Sequence, residues 1–159
     1  AFGDGPWSAA LVCTVCLSAP DTAATVTAPA GVITDTTPTY TWPDVPCAAE
    51  YRLWVSGPSG NVIDQWYDAA AVCSGDTCSV TPDTELAGGE HRTWIRTRNA
   101  LGTGPWSGAL EFTVCLSTPD AAAMTAPTGV ITDTTPTYTW PAVPCADEYR
   151  WSMSLDIAL

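Results

Sequence analysis

An internal repeat constrains the fold of this chain more than any other feature of its sequence. Three runs of residues occur twice without change: GPWS, TVCLS and GVITDTTPTYTWP. Their copies lie at 5–8 and 104–107, at 14–18 and 113–117, and at 31–43 and 129–141. The copies of the two short runs are offset by 99 residues, and those of the long run by 98. A period of this length is typical of a whole β-sandwich domain and is too long for one turn of a solenoid.

The repeat divides the chain into three parts. Residues 1–18 match the last strand of a repeat unit, residues 19–115 form one complete unit, and residues 116–159 supply the first strands of the next unit. Neighbouring units that are nearly identical are typical of a tandem array. The segments at both junctions are rich in Thr and Pro, which favour an extended backbone, so we expect stiff connectors between units.

Composition and turn signals predict an all-β chain. The 159 residues include 14 Pro, 12 Gly and many Thr, without a long stretch of helical periodicity. Turn sequences such as 57–60 and 101–104 separate short β-rich runs. The predicted strands include 39–42, 51–55, 62–67, 78–81, 91–99 and 107–114. About seven short strands in this arrangement predict a sandwich of two antiparallel sheets.

The charge balance excludes several classes of partner. Seventeen Asp and Glu stand against five basic residues, all of them Arg, and the formal net charge is −12. Such a chain repels phosphate backbones and anionic lipid surfaces, so we expect no nucleic-acid binding. No run of 18 apolar residues occurs, and we therefore expect no membrane insertion.

The order of residues in the complete unit resembles that of a fibronectin type III domain. The residues that carry this resemblance are Trp42, Tyr51, Leu86, Asn99-Ala-Leu-Gly102 and Trp106-Ser107. The pattern is most similar to the secreted bacterial variants that occur in long tandem arrays. The resemblance implies an immunoglobulin-like β-sandwich that serves as a scaffold or adhesion module, and it names no partner. His91 departs from the pattern, since the family usually has a tyrosine at this corner.

Seven cysteines in an acidic, lysine-free β protein predict disulfides and an oxidising environment. Cys73 and Cys78 enclose only the turn sequence Ser-Gly-Asp-Thr, which favours a local hairpin disulfide. Zinc is the weaker alternative, because Cys13 and Cys16 form a single knuckle and a second is missing. Cys13 has Phe112 as its repeat equivalent, which favours a buried thiol, and a bond to another chain is the alternative.

The fibronectin-like topology implies two further disulfides. It brings the start of the first strand and the loop after the second strand to one pole, so Cys16 can meet Cys47 and Cys115 can meet Cys145. Each bond would close a loop of about 30 residues, which stabilises a fold by about 3 kcal/mol in the chain-entropy model. Each would also turn a flexible linker between units into a fixed joint.

No constellation of catalytic residues is recognisable in the sequence. The single histidine, His91, falls on the inward-facing set of its strand, which favours a core position. No nucleophile elbow, metalloprotease motif, phosphate loop or dinucleotide fingerprint occurs. The acids are spread through turns and form no calcium-loop motif, although calcium remains the alternative use for them. We therefore expect a protein that is not an enzyme and that needs no cofactor and no metal.

A pattern of arginine and tryptophan is the most informative feature of the strands. The proposed interaction face has seven side chains. Alternation places six of them on the outer face of one sheet, namely Arg52, Trp54, Arg92, Trp94, Arg96 and Arg98, and Trp106 lies just beyond them. A guanidinium above an indole ring forms a cation–π pair worth about 0.5–1 kcal/mol at an exposed site. Three interpretations are open: a self-contained ladder that stiffens the sheet, a docking face for the next subunit, and a carbohydrate platform on Trp94 or Trp54.

The repeat favours a structural function. We expect a subunit or segment of an extracellular or cell-surface filament of tandem fibronectin III-like domains, with copies of itself as partners. An N-terminal donor strand, with the alternating residues Ala9, Leu11, Cys13 and Val15, would complete a unit of the next chain. In the weaker version of this hypothesis, the units belong to one covalent array and the strand comes from the same polypeptide. Head-to-tail contact between units gives an open filament in both cases. The alternative is a non-catalytic carbohydrate-binding or adhesion module of a large secreted bacterial protein, with glycans as partners.

Overall fold

The computed structural model describes Ala9, residues 15–146 and residues 148–153. Its strands are β1 Gly31–Ile33, β2 Tyr40–Pro43, β3 Glu50–Gly57, β4 Gly60–Asp68, β5 Cys73–Ser74, β6 Thr77–Val80, β7 Gly89–Asn99, β8 Gly102–Trp106 and β9 Leu110–Val114. One short helix, α1, spans Ala69–Val72 between β4 and β5. Within the described residues no helix has the length and apolar character needed to cross a membrane. The all-β prediction is confirmed.

Six strands form the larger sheet. Its order is β1-β9-β7-β3-β4, and β8 also pairs with β7. The long strand β7 runs antiparallel to β3, β8 and β9, whereas β1 runs parallel to β9. The hairpin between β3 and β4 turns through Pro58 and Ser59 and ends at Gly60, whose φ of +108° is a value that glycine adopts without steric cost.

The smaller sheet has three strands, in the order β2-β6-β5, and both sheets contribute to one core. Alternate residues of β3 are fully buried, as the two-residue period of a strand requires. Tyr51 of β3 meets Trp42 of β2, with 5.4 Å between ring centroids. Tyr40 of β2 meets Phe112 of β9 in an edge-on arrangement at 6.2 Å. These aromatic contacts hold the two sheets together across the core.

The structure differs from the sequence expectation at several elements. The predicted turn 101–104 is instead largely part of β8, and the predicted strand 107–114 begins three residues later. Ser107 explains the difference, because its side chain takes the place of a backbone acceptor: its N–H donates to the Ile95 carbonyl, and its side-chain Oγ accepts from the Ile95 N–H. The helix α1 was not predicted, and the Asp68 carboxylate caps its first turn.

The residues after Cys115 form no strand in their described part, 116–146 and 148–153. An isolated bridge between Ala126 and Thr139 lies where the sequence predicts the first strands of a unit. In the complete unit the equivalent strands β1, β2 and β3 pair with β4, β6, β7 and β9, which come later in that unit. A strand needs a neighbour to satisfy its backbone N–H and C=O groups, and within the described range this segment has only the bridge.

Gly57 leaves room for the buried ring of His91, and we predict that Gly57→Ala destabilises the fold. A Cβ at this position would lie 2.7 Å from His91 Nε2 and 3.1 Å from a methyl carbon of Val62. Because the ring is fixed in the core, we expect the free energy of unfolding to fall by about 1–3 kcal/mol. Gly108→Ala is the matched control, since a Cβ there meets no atom within 4 Å. Chemical denaturation measures the free energy of unfolding of both variants, and equal values for the two would contradict the prediction.

Candidate functional site

Three guanidinium groups and two indole rings alternate across the outer face of the larger sheet, and we call this stack the Arg–Trp ladder. Its order is Arg98, Trp66, Arg52, Trp106 and Arg96. The distances from Cζ to ring centroid along this order are 4.1, 5.9, 5.6 and 5.7 Å. The sheet register produces the ladder, because four of these five residues are cross-strand partners in one row of β4, β3, β7 and β8.

Each guanidinium of the Arg–Trp ladder also has a polar partner. Arg52 donates two hydrogen bonds to Asp64, at 2.6 and 2.7 Å, and Arg98 donates two to Glu50. Arg96 donates to a backbone carbonyl and a hydroxyl of β8, at 2.8 and 2.9 Å. The bidentate bonds lower the pKa of the Asp64 and Glu50 carboxyl groups below their usual values. Two of the three positive charges are therefore neutralised within the sheet.

Trp94 and Arg92, which the sequence also places on this face, lie beside the ladder. The ring of Trp94 packs on that of Trp54 with 4.9 Å between centroids, and Trp54 in turn contacts Trp106 at 5.8 Å. Arg92 pairs with Glu111 at 2.9 Å on an exposed part of the sheet. The structure thus gathers six of the seven predicted side chains into one cluster and leaves Arg92 outside it.

Three members of this site were not predicted from the sequence: Trp66, Asp64 and Glu50. Alternation along β4 contains a signal for two of them, since Ile63 and Tyr67 pack against the core and place residues 64 and 66 on the outer face. Which residue of β3 each one meets depends on the register of the β3–β4 hairpin. That register shifts near the turn, and strand alternation does not reveal such a shift.

Acid is expected to weaken the Arg–Trp ladder. Hydrogen bonds from Arg98 and Arg52 lower the pKa of Glu50 and Asp64 from their ordinary values of 4.5 and 3.8. A carboxylate with a lowered folded-state pKa adds stability above its unfolded pKa, and loses it as the pH falls through the folded value. We predict that the free energy of unfolding falls from about pH 5 to about pH 2, and that the double variant Glu50→Gln, Asp64→Asn flattens this curve. Urea denaturation at each pH measures the free energy of unfolding. The exposed Glu85→Gln serves as the control and should leave the pH dependence of the parent unchanged. A double variant whose stability depends on pH as strongly as that of the parent would argue against the ladder.

Two disulfides lie at the repeat junctions. They join Cys16 to Cys47 and Cys115 to Cys145, with Cα atoms 5.6 and 5.7 Å apart. The second cysteine of each pair has a left-handed backbone, with φ of +65° at Cys47 and +68° at Cys145. Because few residues other than glycine adopt this conformation, its presence in both places marks the same local structure. The chain therefore contains one type of covalent joint twice.

Asn99 connects the two sides of the first joint. Its side-chain N–H groups donate to the backbone carbonyls of Ser18, at 2.9 Å, and Cys47, at 3.1 Å. Next to it, the buried Pro20 lies against Gly104 of β8, where a Cβ would come within 2.7 Å of the Pro20 carbonyl oxygen. The linker into the complete unit is thus held by a disulfide, by two hydrogen bonds and by packing on the β7–β8 hairpin. The sequence contained no signal for this use of Asn99.

The third disulfide, Cys73–Cys78, joins the neighbouring strands β5 and β6. The Asp44 carboxylate lies close enough to both sulfurs to form with them a group of potential metal ligands among the described residues. However, both sulfurs are bonded to each other, and metal binding requires thiolates. Asp44 instead accepts a hydrogen bond from the Tyr51 hydroxyl at 2.6 Å, and burial together with this bond raises the pKa of Tyr51. Three disulfides in one chain indicate an oxidising environment.

His91 is buried in the core, as predicted. Its Nδ1 lies 3.0 Å from the Gly89 carbonyl oxygen, which can only accept, so Nδ1 is the donor of this hydrogen bond. The ring stacks on Phe112 with 5.3 Å between centroids. In the described part of the chain its hydrogen bond is to backbone, and neither a nucleophile nor a carboxylate orients it.

The predicted donor strand lies mostly outside the described residues, as do Leu11 and Cys13. Ala9 and Val15 are described, and neither belongs to a strand. Val15 is 72% exposed, whereas its repeat equivalent Val114 is fully buried in β9. Strand addition through this segment stays a prediction.

The geometry therefore offers two features with functional meaning. One is a sheet face that carries the Arg–Trp ladder, and the other is a disulfide joint that occurs at both repeat junctions. No protein-family model matches the chain, and no curated protein matches it. The function is accordingly inferred from these two features.

Proposed function

We propose that this chain is a structural segment of an extracellular filament, built from tandem fibronectin type III-like β-sandwiches that are joined head to tail. The observation that carries the proposal is the recurrence of one disulfide joint at both junctions. Its two copies, Cys16–Cys47 and Cys115–Cys145, span 31 and 30 residues of sequence. The partners are copies of the same unit, supplied by another chain through strand addition or by the same chain in a covalent array.

The hydrogen bonds around the joints recur as well. The backbone N–H of Thr27 donates to the carbonyl of Thr41 at 2.8 Å, and Thr125 donates to Thr139 in the same way at 2.7 Å. A bond from a valine N–H to the hydroxyl of a tyrosine six residues later is 2.7 Å in both copies. The repeated sequence thus folds twice into the same local structure, as each unit of a tandem array must.

The order of the strands supports a sandwich of the immunoglobulin and fibronectin type. In that architecture strands C, F and G share one sheet, and B, E and D share the other. Here β3, β7 and β9 are neighbours in the larger sheet, and β2, β6 and β5 are neighbours in the smaller one. This order, together with the positions of Trp42, Tyr51 and Ser107, is the basis for proposing the fibronectin-like fold.

The mechanism that we propose is mechanical. The Arg–Trp ladder crosses β4, β3, β7 and β8, so sliding one strand past its neighbour would break cation–π contacts and ion pairs at several places. At the junction, the disulfide and Asn99 hold the linker against the unit that follows it. Tension on the array would therefore pass from unit to unit through covalent joints, without extending a free linker.

Electron microscopy of the native protein without reductant tests the proposal. Regular filaments are expected, with an axial repeat of one or two sandwich lengths. Reduction with dithiothreitol should leave the sandwiches folded and make the filaments curved or broken at the junctions. An Asn99→Ala variant should resemble the reduced protein in part, because it loses the hydrogen bonds across the joint. Dispersed monomers under non-reducing conditions would overturn the proposal.

The paired rings of Trp54 and Trp94 favour a second candidate, an adhesion or carbohydrate-binding module of a secreted protein. These rings pack on each other, and in the described part of the chain neither is covered by a guanidinium. An indole face that no guanidinium covers can stack on a sugar ring. Loss of glycan binding in Trp94→Ala, without loss of assembly, would favour this candidate.

A further inference from the structure

An open groove of about 680 Å³ lies on the larger sheet, and among the described residues its lining includes no member of the Arg–Trp ladder and no cysteine. Four neighbouring strands, β1, β9, β7 and β3, contribute to it, and Pro58 of the β3–β4 turn lines one side. Its volume falls within the range of small-molecule binding sites. The carbohydrate-binding candidate uses the rings of Trp54 and Trp94, and it assigns no role to this groove.

The side chains along the groove are mostly polar and occupy two adjacent rows of the sheet. In one row Arg92 lies opposite Glu111 on one side and Ser56 on the other. In the next row Glu90 lies opposite Thr113. The ion pair between Arg92 and Glu111 is 2.9 Å long, and its side chains are 59% and 67% exposed. Both groups therefore have free hydrogen-bonding positions that a ligand can reach.

An aromatic platform continues the groove. Trp94 lies two residues beyond Arg92 on the same face of β7, which places it about 7 Å further along the strand. It is partly exposed, and its ring contacts Trp54 in the neighbouring strand β3. The outer face of the sheet thus has an indole ring next to a set of carboxylate, guanidinium and hydroxyl groups.

We propose that this groove binds a neutral oligosaccharide, with one sugar ring against Trp94 and the next hydroxyls bonded to Arg92, Glu111 and Glu90. Sugar hydroxyls donate to carboxylates and accept from a guanidinium, so they match both kinds of group in the groove. Two carboxylates against one guanidinium, in a chain of net charge −12, repel anionic ligands. The inference rests on the carbohydrate-binding candidate proposed above and extends it to the groove, and it is independent of filament formation because the groove lies within one unit.

Affinity electrophoresis and calorimetry of the intact chain test the inference, with mannan, mixed-linkage β-glucan, cellohexaose and chitohexaose as probes. We expect at least one probe to bind. Trp94→Ala and Glu90→Gln should each weaken that binding at least tenfold, and Glu90→Gln changes an exposed side chain that the fold does not need. The control Trp66→Ala, in the ladder, should bind within twofold of the parent, and circular dichroism should show that every variant is folded.

The inference is overturned if none of the four probes binds, or if Glu90→Gln binds as the parent does. Loss of binding in Trp94→Ala alone would support the carbohydrate-binding candidate and contradict the use of the groove. Binding of polylysine in place of the sugars would also overturn it, since it would assign the groove to cationic peptides. Filament formation is scored on the same samples. A chain that assembles without binding sugars contradicts this inference alone, and one that binds sugars without assembling contradicts the proposed filament.

Discussion

The paired substitution Cys16→Ser, Cys47→Ser is expected to lower the free energy of unfolding of the complete unit by about 3 kcal/mol. The bond that it removes closes a loop of 31 residues. Without this bond the unfolded chain has more conformational entropy, which favours unfolding. Both cysteines are replaced because a single change would leave a reactive thiol. Urea denaturation of parent and variant without reductant measures the difference. Small-angle scattering should show a wider range of positions for the linker.

Cys115→Ser, Cys145→Ser is the control for this prediction. That bond is equivalent to the first, with a sequence separation of 30, but the loop that it closes comes after β9 and outside the complete unit. Stability of the complete unit should therefore change much less than in the first variant, while the second junction becomes flexible. Equal losses in the two variants, or no loss in the first, would show that the joint does not act as described.

Trp42→Ala is expected to lower the free energy of unfolding by about 3–5 kcal/mol, the usual cost of deleting a large aromatic side chain from a core. Trp42 is fully buried in β2 and packs on Tyr51 of the opposite sheet. Removing its ring opens a cavity between the sheets that the rigid strands cannot fill. Thermal and urea unfolding, monitored by far-ultraviolet circular dichroism, measure the loss.

Trp140→Ala is a control that the repeat itself provides. Trp140 occupies the same place in the identical thirteen-residue run and lies 5.6 Å from Tyr149, much as Trp42 lies from Tyr51. However, Tyr149 is 39% exposed, whereas Tyr51 is fully buried. The complete unit should keep nearly all its stability in Trp140→Ala. A loss as large as that of Trp42→Ala would mean that the two segments unfold as one body.

Sequence reasoning was most accurate where a feature is local. Strand alternation placed His91 inward and Arg52 outward, and the turn between Cys73 and Cys78 indicated their bond. Composition and turn signals indicated the all-β class. The bonds at the two junctions followed from a resemblance to a known topology, and the structure contains both.

Other features depend on which strands become neighbours, and the linear pattern does not contain that information. Trp66 joins the ladder because the β3–β4 register sets it opposite Arg52. Asn99 reaches the first joint across 81 residues of sequence, and β1 pairs in parallel with a strand that is distant in the chain. Arg92 was expected among the tryptophan rings and instead pairs with Glu111, because the β7–β9 register places these two residues opposite each other.

The two identical runs separate what the local sequence determines from what the tertiary structure determines. The run 31–43 and its copy 129–141, with the residues next to them, have the same isolated bridge, the same Asx turn at their aspartates and the same contact between a tryptophan and a tyrosine ring. These features depend on residues close in the chain. Burial differs between the copies, since Tyr40 and Trp42 are covered by strands that fold over them from later in the unit. Local conformation is thus determined by the run itself. Whether its aromatic rings form a core is determined by the long-range strand pairing that removes them from water.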